Sequence, residues 1–344
     1  MVPEISVVIP LFNKERYIRR TIESVLRQTF QDFEIIIIDS STDRSTDIVK
    51  QYDDPRIIHI VRDRMRAAPA RNLGVNVARS DYVAFLDADD EWQPDHLETL
   101  VSLRKKYPDA GLYSTPYVKL RHDGRPWIML FTGITPPPWE GYLTNYLRIC
   151  SRGDEPVNSS SCAIPRQVFF EVGGFPENLE YGEDQYLWGK ISLTYPIAFS
   201  WKGLTIYHTE STGRICNDPH IFNEHPFSIY LYKEIKKGEI SHEKQLEYAE
   251  YIRRKRHGSF FSSYFTLNSH GDTCVHSEVK NITTNNYFIS LFLSGMHKGV
   301  NFSLQWLYNS SFHNLYRRFL CLIFGSYSPI IDVSQCDGQY HLKK

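Results

Sequence analysis

The sequence predicts an α/β fold: a mostly parallel sheet with helices on both faces, followed by a mainly helical C-terminal extension. Two observations carry this prediction. Up to about residue 106, short apolar runs rich in β-branched residues alternate with segments whose apolar residues recur at helical spacing. The short runs are apolar at most consecutive positions rather than at every second position, which is typical of strands buried on both faces.

The elements are predicted in order along the chain. Strands are expected at 5–10, 33–38, 57–61 and 82–86, and helices at 15–28, 42–52, 69–78 and 94–106. Beyond residue 110 the pattern loosens, and three consecutive prolines at 136–138 indicate a loop. Helices are expected again at about 226–257 and 287–324. We therefore predict an α/β domain over 1–217 and a mainly helical extension over 218–344.

Composition excludes several classes of protein. The 344 residues are 42% hydrophobic and 23% charged, which is ordinary globular usage rather than that of a disordered or coiled-coil chain. A net charge of -1 argues against a chain-wide nucleic-acid binder. The six cysteines lack metal-site or C-x-x-C spacing, which favours reduced thiols and a cytoplasmic protein. A signal peptide is not expected, and no apolar run approaches the roughly 20 residues of a spanning helix.

The near-neutral charge hides two unequal parts. Acidic side chains outnumber basic ones before residue 218, and basic ones outnumber acidic ones after it. The tail carries a basic run at 253–257 and an apolar stripe with aromatic residues and arginines at 312–323. This pattern suits a helix lying on an anionic membrane, at the inner face of the cell membrane, but it also suits a helix packed on the α/β domain.

Carboxylates follow the predicted strands at the edge where open parallel sheets bind ligands. Asp39 ends the second strand, and Asp87, Asp89 and Asp90 follow the fourth. Three carboxylates within four residues repel one another unless a cation shares the site. Mg²⁺ or Mn²⁺ with oxygen ligands and substrate phosphates is one interpretation, and a solvated cap for the helix near residue 94 is the other.

Several sequence blocks resemble the family-2 glycosyltransferases, which are inverting enzymes of the GT-A fold. They are V-V-I-P-L-F-N-K at 7–14, the stretch 24–39, S-T-D at 41–43, A-R-N-L-G at 70–74, Y-V-A-F-L-D-A-D-D-E-W at 82–92 and V-G-G-F-P-E-N-L-E-Y-G-E-D-Q-Y-L-W at 172–188. They stand in the family's order and cover roughly residues 1–210.

The resemblance implies roles for individual residues. The donor nucleotide would be bound by Pro10, Phe12, Asn13, Asp39, Arg71 and Asp87. Asp89 would bind a divalent metal, Mn²⁺ or Mg²⁺, on the donor diphosphate. Asp184 would be the catalytic base, with Glu183 in reserve, although an acidic pair at a helix start is also favoured by the helix dipole. The loop after Asp39 departs from the family's usual D-D-G-S-T-D, which leaves the choice of nucleotide open.

Two further residues have alternative readings. Trp188 would either form an acceptor floor that stacks on a sugar or pack in the core. His208 would either be a late metal ligand or a structural histidine with satisfied hydrogen bonds. Together these features predict transfer of a sugar from a nucleotide sugar, such as a UDP-sugar, to a glycan or lipid-linked acceptor in surface-polysaccharide synthesis. The alternatives are a non-catalytic sugar-nucleotide-binding protein and a nucleotidyltransferase-like enzyme.

Overall fold

The structure is a computed structural model of the chain. It describes residues 2–120, 124–127, 129, 131–143, 145–152, 154–211, 225–252, 255, 330–332 and 341–343. The helix predicted at 287–324 and its apolar stripe therefore lie outside the described residues. The boundary predicted between 217 and 218 also falls in a stretch outside them.

Strands and helices alternate through the first part of the chain, as predicted. The strands are β1 (Ile5–Leu11), β2 (Phe33–Asp39), β3 (Ile57–Val61), β4 (Tyr82–Phe85), β5 (Glu91–Trp92), β6 (Leu112–Ser114), β7 (Tyr117–Leu120), β8 (Pro126–Trp127), β9 (Glu140–Leu143), β10 (Cys162–Pro165), β11 (Ile197–Ser200), β12 (Thr205–His208), β13 (Ile330–Asp332) and β14 (His341–Lys343). The helices are α1 (Ile18–Leu26), α2 (Ser45–Val49), α3 (Ala67–Val77), α4 (His96–Lys106), α5 (Tyr146–Arg152), α6 (Arg166–Glu171), α7 (Glu183–Thr194) and α8 (Pro226–Lys237).

The central sheet has eight strands in the order β3-β2-β1-β4-β10-β6-β11-β9. The pairs β3-β2, β2-β1, β1-β4 and β6-β11 are parallel, and β10 and β9 run against their neighbours. Six of the eight strands therefore point the same way, which confirms the mostly parallel sheet.

The register of this sheet brings the polar strand ends together. Leu11 pairs with Asp39 at the ends of β1 and β2, and Val8 pairs with Phe85 at the end of β4. The strands themselves are buried on both faces, because β2 has no exposed residue and β1 only a half-buried Pro10. A one-residue slip would exchange the two faces of these largely apolar strands, so the packing of the helices on both faces fixes the register.

Helix α3 comes very close to β1 where Gly74 meets Val8. A Cβ built on Gly74 would stand 2.3 Å from Cγ1 of Val8, which is fully buried. Only glycine allows the two backbones to come so close, and this contact places Arg71, one turn earlier on α3, beside the end of the sheet.

A second sheet has the order β5-β12-β7-β8. Its first strand directly follows the acidic turn after β4, and β12 pairs antiparallel with β5 and parallel with β7. This sheet therefore forms a wall next to the carboxyl ends of β1 and β4.

The first part of the predicted C-terminal extension packs into the main hydrophobic core. Phe227 and Leu231 of α8 are fully buried, and Gly189 of α7 leaves room for the Phe227 ring. A further helical stretch at 242–252 contributes Tyr248 and Tyr251 to the same hydrophobic cluster. Among the described helices, none is long and apolar enough to cross a membrane.

We expect the Gly74→Ala variant to lower the free energy of unfolding by about 1–3 kcal/mol, because the new methyl group overpacks the contact with Val8. Urea unfolding measures the loss. The matched control is Asn76→Ala on the exposed side of the same helix, which gains helix propensity without a clash. In the double variant with Val8→Ala the two changes should compensate in part, and strict additivity would contradict the proposed clash.

Candidate active site

A cleft of about 800 Å³ opens at the carboxyl ends of β1 and β4. One wall comes from the central sheet and α3, another from β7 and β12, and a third from the loop before α7. Seven of the residues predicted from the sequence line it, and they are Pro10, Phe12, Arg71, Asp87, Asp89, Glu183 and Asp184. Residues more than 170 positions apart in the chain thus meet in one cavity.

The three carboxylates of the D-A-D-D turn are separated by the fold. Asp87 and Asp89 line the cleft, whereas Asp90 is fully buried. Its carboxylate accepts hydrogen bonds from Ser160 Oγ at 2.6 Å and from the backbone N–H of His208 at 3.1 Å. Burial, then the charges of Asp89 and Asp87, raise the pKa of Asp90 well above its usual range. Asp90 therefore ties the turn to the second sheet and leaves the other two carboxylates to the cleft.

Arg71 joins the two halves of the site. Its guanidinium donates to Asp87 Oδ1 at 2.7 Å and to Glu183 Oε1 at 3.0 Å. The side chain is only 5% exposed and lies over the Phe175 ring. Desolvation alone would lower its pKa, but Asp87 and Glu183 more than offset this and raise it. The planar fork of arginine suits such a bridge between two carboxylates.

Glu183 and Asp184 are the first two residues of α7. The preceding Gly182 has a φ of 70°, a left-handed conformation that turns the chain sharply into the helix. Asp184 accepts hydrogen bonds from Ser159 Oγ at 3.3 Å and from the Gln185 backbone at 2.7 Å. Burial and then the Glu183 charge raise its pKa from 3.8 to about 7, while Arg71 opposes this shift. A carboxylate with a pKa near neutrality is suited to accept a proton.

Asp39 and Asn13 lie at the same sheet edge but do not line the cleft. Asp39 is fully buried. Burial would raise its pKa, but hydrogen bonds from His59, Thr46 and Ser41 lower it to about 2. The structure thus gives Asp39 three partners of its own.

Asn13 connects the loop after β1 to the loop after β2. It has a φ of 52°, a left-handed conformation that asparagine tolerates better than most residues. Its Oδ1 accepts the backbone N–H groups of Thr42 and Asp43 at 2.8 and 3.3 Å. These contacts support a structural role for the Asn13 side chain.

The assignment of Trp188 to an acceptor floor is wrong. Its side chain is fully buried and packs against Phe85 and Phe175. No face of the indole is left for a sugar, because the same apolar contacts that build the core cover both sides. Trp188 is therefore the core residue of the alternative interpretation.

His208 is held outside the cleft lining. The ring is buried, with Nε2 at 2.9 Å from Glu91 Oε1 and Nδ1 at 3.5 Å from Glu210 Oε1. Neither carboxylate is Asp87 or Asp89, and no cluster of three or more histidine, cysteine or acidic residues suited to a metal occurs within the described ranges. The contacts agree with the alternative reading of His208 as a structural residue.

Two site residues were missed by the sequence analysis. Lys14 places its Nζ 2.8 Å from Asp89 Oδ2. Ser159 contacts Asp184 across the cleft. Lys14 belongs to the block V-V-I-P-L-F-N-K, so the motif contained the signal, whereas Ser159 lies in a stretch without any readable motif.

The carboxylates of the cleft fit a hard divalent cation. Asp87 and Asp89 present oxygen ligands to the cavity, and oxygen is the donor that Mg²⁺ and Mn²⁺ prefer. A protein site of only one or two carboxylates is usual for Mg²⁺, which completes its coordination with water and substrate phosphates.

Known proteins resemble this chain in sequence. Residues 6–173 match the family model described as Glycosyl transferase family 2. An uncharacterized glycosyltransferase of Rickettsia felis is 26% identical over 332 residues, which is 88% of this chain and 51% of that protein. The Escherichia coli UDP-Glc:alpha-D-GlcNAc-diphosphoundecaprenol beta-1,3-glucosyltransferase WfaP is 37% identical over 117 residues, 33% of this chain and 47% of that one. This chain thus spans about half the length of these relatives.

The fold is shared with a solved structure. The crystal structure of S. aureus TarS 1-349 in complex with UDP-GlcNAc superimposes with a TM-score of 0.63 at 20% identity, over 78% of this chain and 76% of that one. At this identity the likeness establishes the GT-A fold. The family model matched over residues 6–173, from β1 to the loop before α7, and relatives that are named glycosyltransferases thus assign this part of the chain to glycosyl transferase family 2.

Proposed function

We propose that this protein is a metal-dependent, inverting glycosyltransferase that transfers a sugar from a UDP-sugar to a glycan or lipid-linked acceptor in surface-polysaccharide synthesis. One observation carries the proposal. The carboxylates suited to a metal, Asp87 and Asp89, and a carboxylate suited to a base, Asp184, face the same cleft. These are the two kinds of group that glycosyl transfer from a nucleoside diphosphate requires on opposite sides of the reacting carbon.

The donor nucleotide is assigned to the end of the cleft formed by Pro10 and Phe12. Phe12 is 39% exposed, which is unusual for a large apolar side chain at a cavity wall, and Arg64 lies 5.8 Å from its ring centroid. A flat aromatic wall with arginines beside it suits a nucleobase and a diphosphate. The UDP-GlcNAc complex of TarS and the UDP-Glc named for WfaP support a uridine nucleotide.

The chemistry follows from the charges of the cleft. A cation held by Asp89, with Asp87 beside it, would neutralise the charge that develops on the departing diphosphate. Asp184 would accept the proton of the acceptor hydroxyl. Arg71 binds Glu183, the second carboxylate of α7, and would hold it away from this hydroxyl. A single displacement with the base and the leaving group on opposite faces inverts the anomeric centre.

The acceptor is assigned to the part of the cleft near Ser159 and Glu155. Glu155 pairs with Lys255 of the C-terminal extension, so the extension contributes directly to this wall. WfaP is named for an acceptor that carries a diphosphoundecaprenol, and this supports a lipid-linked acceptor here. Apart from Lys255, the basic run and the apolar stripe of the tail lie outside the described residues, and membrane association stays a prediction.

The sharpest test is the Asp184→Asn variant. We expect UDP-sugar binding to persist and transfer to fall by about 10²- to 10⁴-fold, which is the usual contribution of a general base. Binding is measured by calorimetry and transfer by product formation. Asp109→Asn, at an exposed aspartate, is the matched control. Transfer at the wild-type rate in Asp184→Asn would refute the assignment of the base.

Transfer should depend on pH through the same residue. Because a base must be ionised, we expect the rate to fall as pH drops through the raised Asp184 pKa of about 7 and to level off above it.

The same raised pKa means that ionised Asp184 destabilises the fold above pH 4, so Asp184→Asn should raise the melting temperature more at pH 8 than at pH 5. A flat rate profile across neutrality would count against Asp184.

The metal assignment is tested by binding. In the Asp89→Asn variant we expect Mn²⁺ to lose its effect on UDP affinity, because one of the two carboxylates available to the cation is gone. Chelation of metal from the wild-type protein should have the same result. The measurement is calorimetric titration with UDP, with and without Mn²⁺. If Mn²⁺ strengthens UDP binding as much in Asp89→Asn as in the control Asp109→Asn, Asp89 is not the metal site.

A further inference from the structure

Lys14 forms an ion pair with Asp89, the carboxylate that would bind the proposed metal. Lys14 Nζ lies 2.8 Å from Asp89 Oδ2, and the two side chains are only 14% and 13% exposed. Both residues line the cleft. In this state the negative charge of Asp89 is balanced by a cation that belongs to the chain itself.

The backbone of Lys14 is anchored, but its side chain is long. Its N–H donates to Ser45 Oγ at 2.9 Å. Its carbonyl accepts the N–H groups of Tyr17 and Ile18, each at 2.9 Å, at the start of α1. Any movement of the ammonium group therefore comes from rotation of the four-carbon side chain, which stays within reach of the cleft.

Arg71, the cation that holds the neighbouring carboxylate Asp87, is bound differently. Arg71 bridges Asp87 and Glu183 with two hydrogen bonds from a buried planar group, and this arrangement resists displacement. Lys14 presents a point charge with rotatable donors. A divalent cation on Asp89 would meet strong repulsion from the adjacent ammonium, so the lysine is the group that has to give way.

We propose that Lys14 is an exchangeable partner of Asp89: a divalent cation displaces it, and the displaced ammonium then binds the diphosphate of the donor. This inference rests on the proposed function for the nature of the donor. It makes Lys14 a positioning residue that couples two ligands. Metal alone binds weakly because it must break the Lys14–Asp89 pair, and the diphosphate strengthens metal binding because it gives the ammonium a new partner. By linkage, metal strengthens diphosphate binding by the same factor.

The experiment is calorimetric titration of the full chain with MnCl₂ alone, with UDP alone, and with UDP at saturating Mn²⁺. The variants are Lys14→Met, Lys14→Arg and the control Lys50→Met at an exposed lysine outside the cleft lining. We expect Lys14→Met to bind Mn²⁺ without nucleotide about ten-fold more tightly than wild type. The factor by which Mn²⁺ strengthens UDP binding should fall about ten-fold, within the usual range of coupling between sites.

The charge-preserving variant and the control complete the test. Lys14→Arg should keep the weak Mn²⁺ binding of the wild type, and Lys50→Met should match the wild type in all titrations. If Lys14→Met does not fold, as judged by circular dichroism, Lys14→Gln replaces it. Mn²⁺ affinity that is unchanged or lower in Lys14→Met, or no Mn²⁺ binding by any form, overturns the proposal. Failure of the wild type to bind UDP or any UDP-sugar would instead overturn the proposed function, while the titration with Mn²⁺ alone still reports on the Lys14–Asp89 pair.

Discussion

The repulsion among the carboxylates that follow β4 is the constraint on which the site depends. Asp87, Asp89 and Asp90 stand within four residues, and each is stabilised in a different way. Asp87 pairs with Arg71, and Asp89 pairs with Lys14. Asp90 is buried and accepts hydrogen bonds from Ser160 and His208. Because two of these partners are cations, the charges of Asp87 and Asp89 are balanced by the chain itself before any ligand enters. A metal therefore has to compete with the chain rather than fill a preformed cage.

The sheet makes this balance possible by holding its strand ends rigidly. Strands β1, β2 and β4 are buried on both faces, and their register brings the ends of β1 and β2 level. The contact between Gly74 and Val8 then sets α3 close to β1. Arg71 is part of that helix. The close contact between α3 and β1 therefore determines where the Arg71 guanidinium meets the carboxylates of Asp87 and Glu183.

Placing a base at the start of a helix has an electrostatic consequence. Ordinarily a helix N-terminus favours the ionised carboxylate, yet burial and Glu183 keep the Asp184 pKa near 7. Arg71 limits this rise and holds Glu183 at the same time. The same arginine thus acts on the D-x-D turn and on the pair at α7, and the two sides of the proposed reaction share one charge network.

The amino-acid sequence by itself determined the alternation of elements, the parallel sheet and most of the cleft. Apolar runs ending in Asp39 or Asp87 indicate buried strands with polar ends, and the family resemblance of the A-R-N and E-D blocks points to Arg71 and Asp184. Only the tertiary structure decided what each polar group contacts. The tertiary structure buries Trp188 and Asp90. It gives Asp39 and His208 partners outside the cleft lining. It also brings Lys14 to Asp89 across 75 positions of sequence. The physical reason is that burial and charge pairing arise from residues distant in the chain, which no local pattern records.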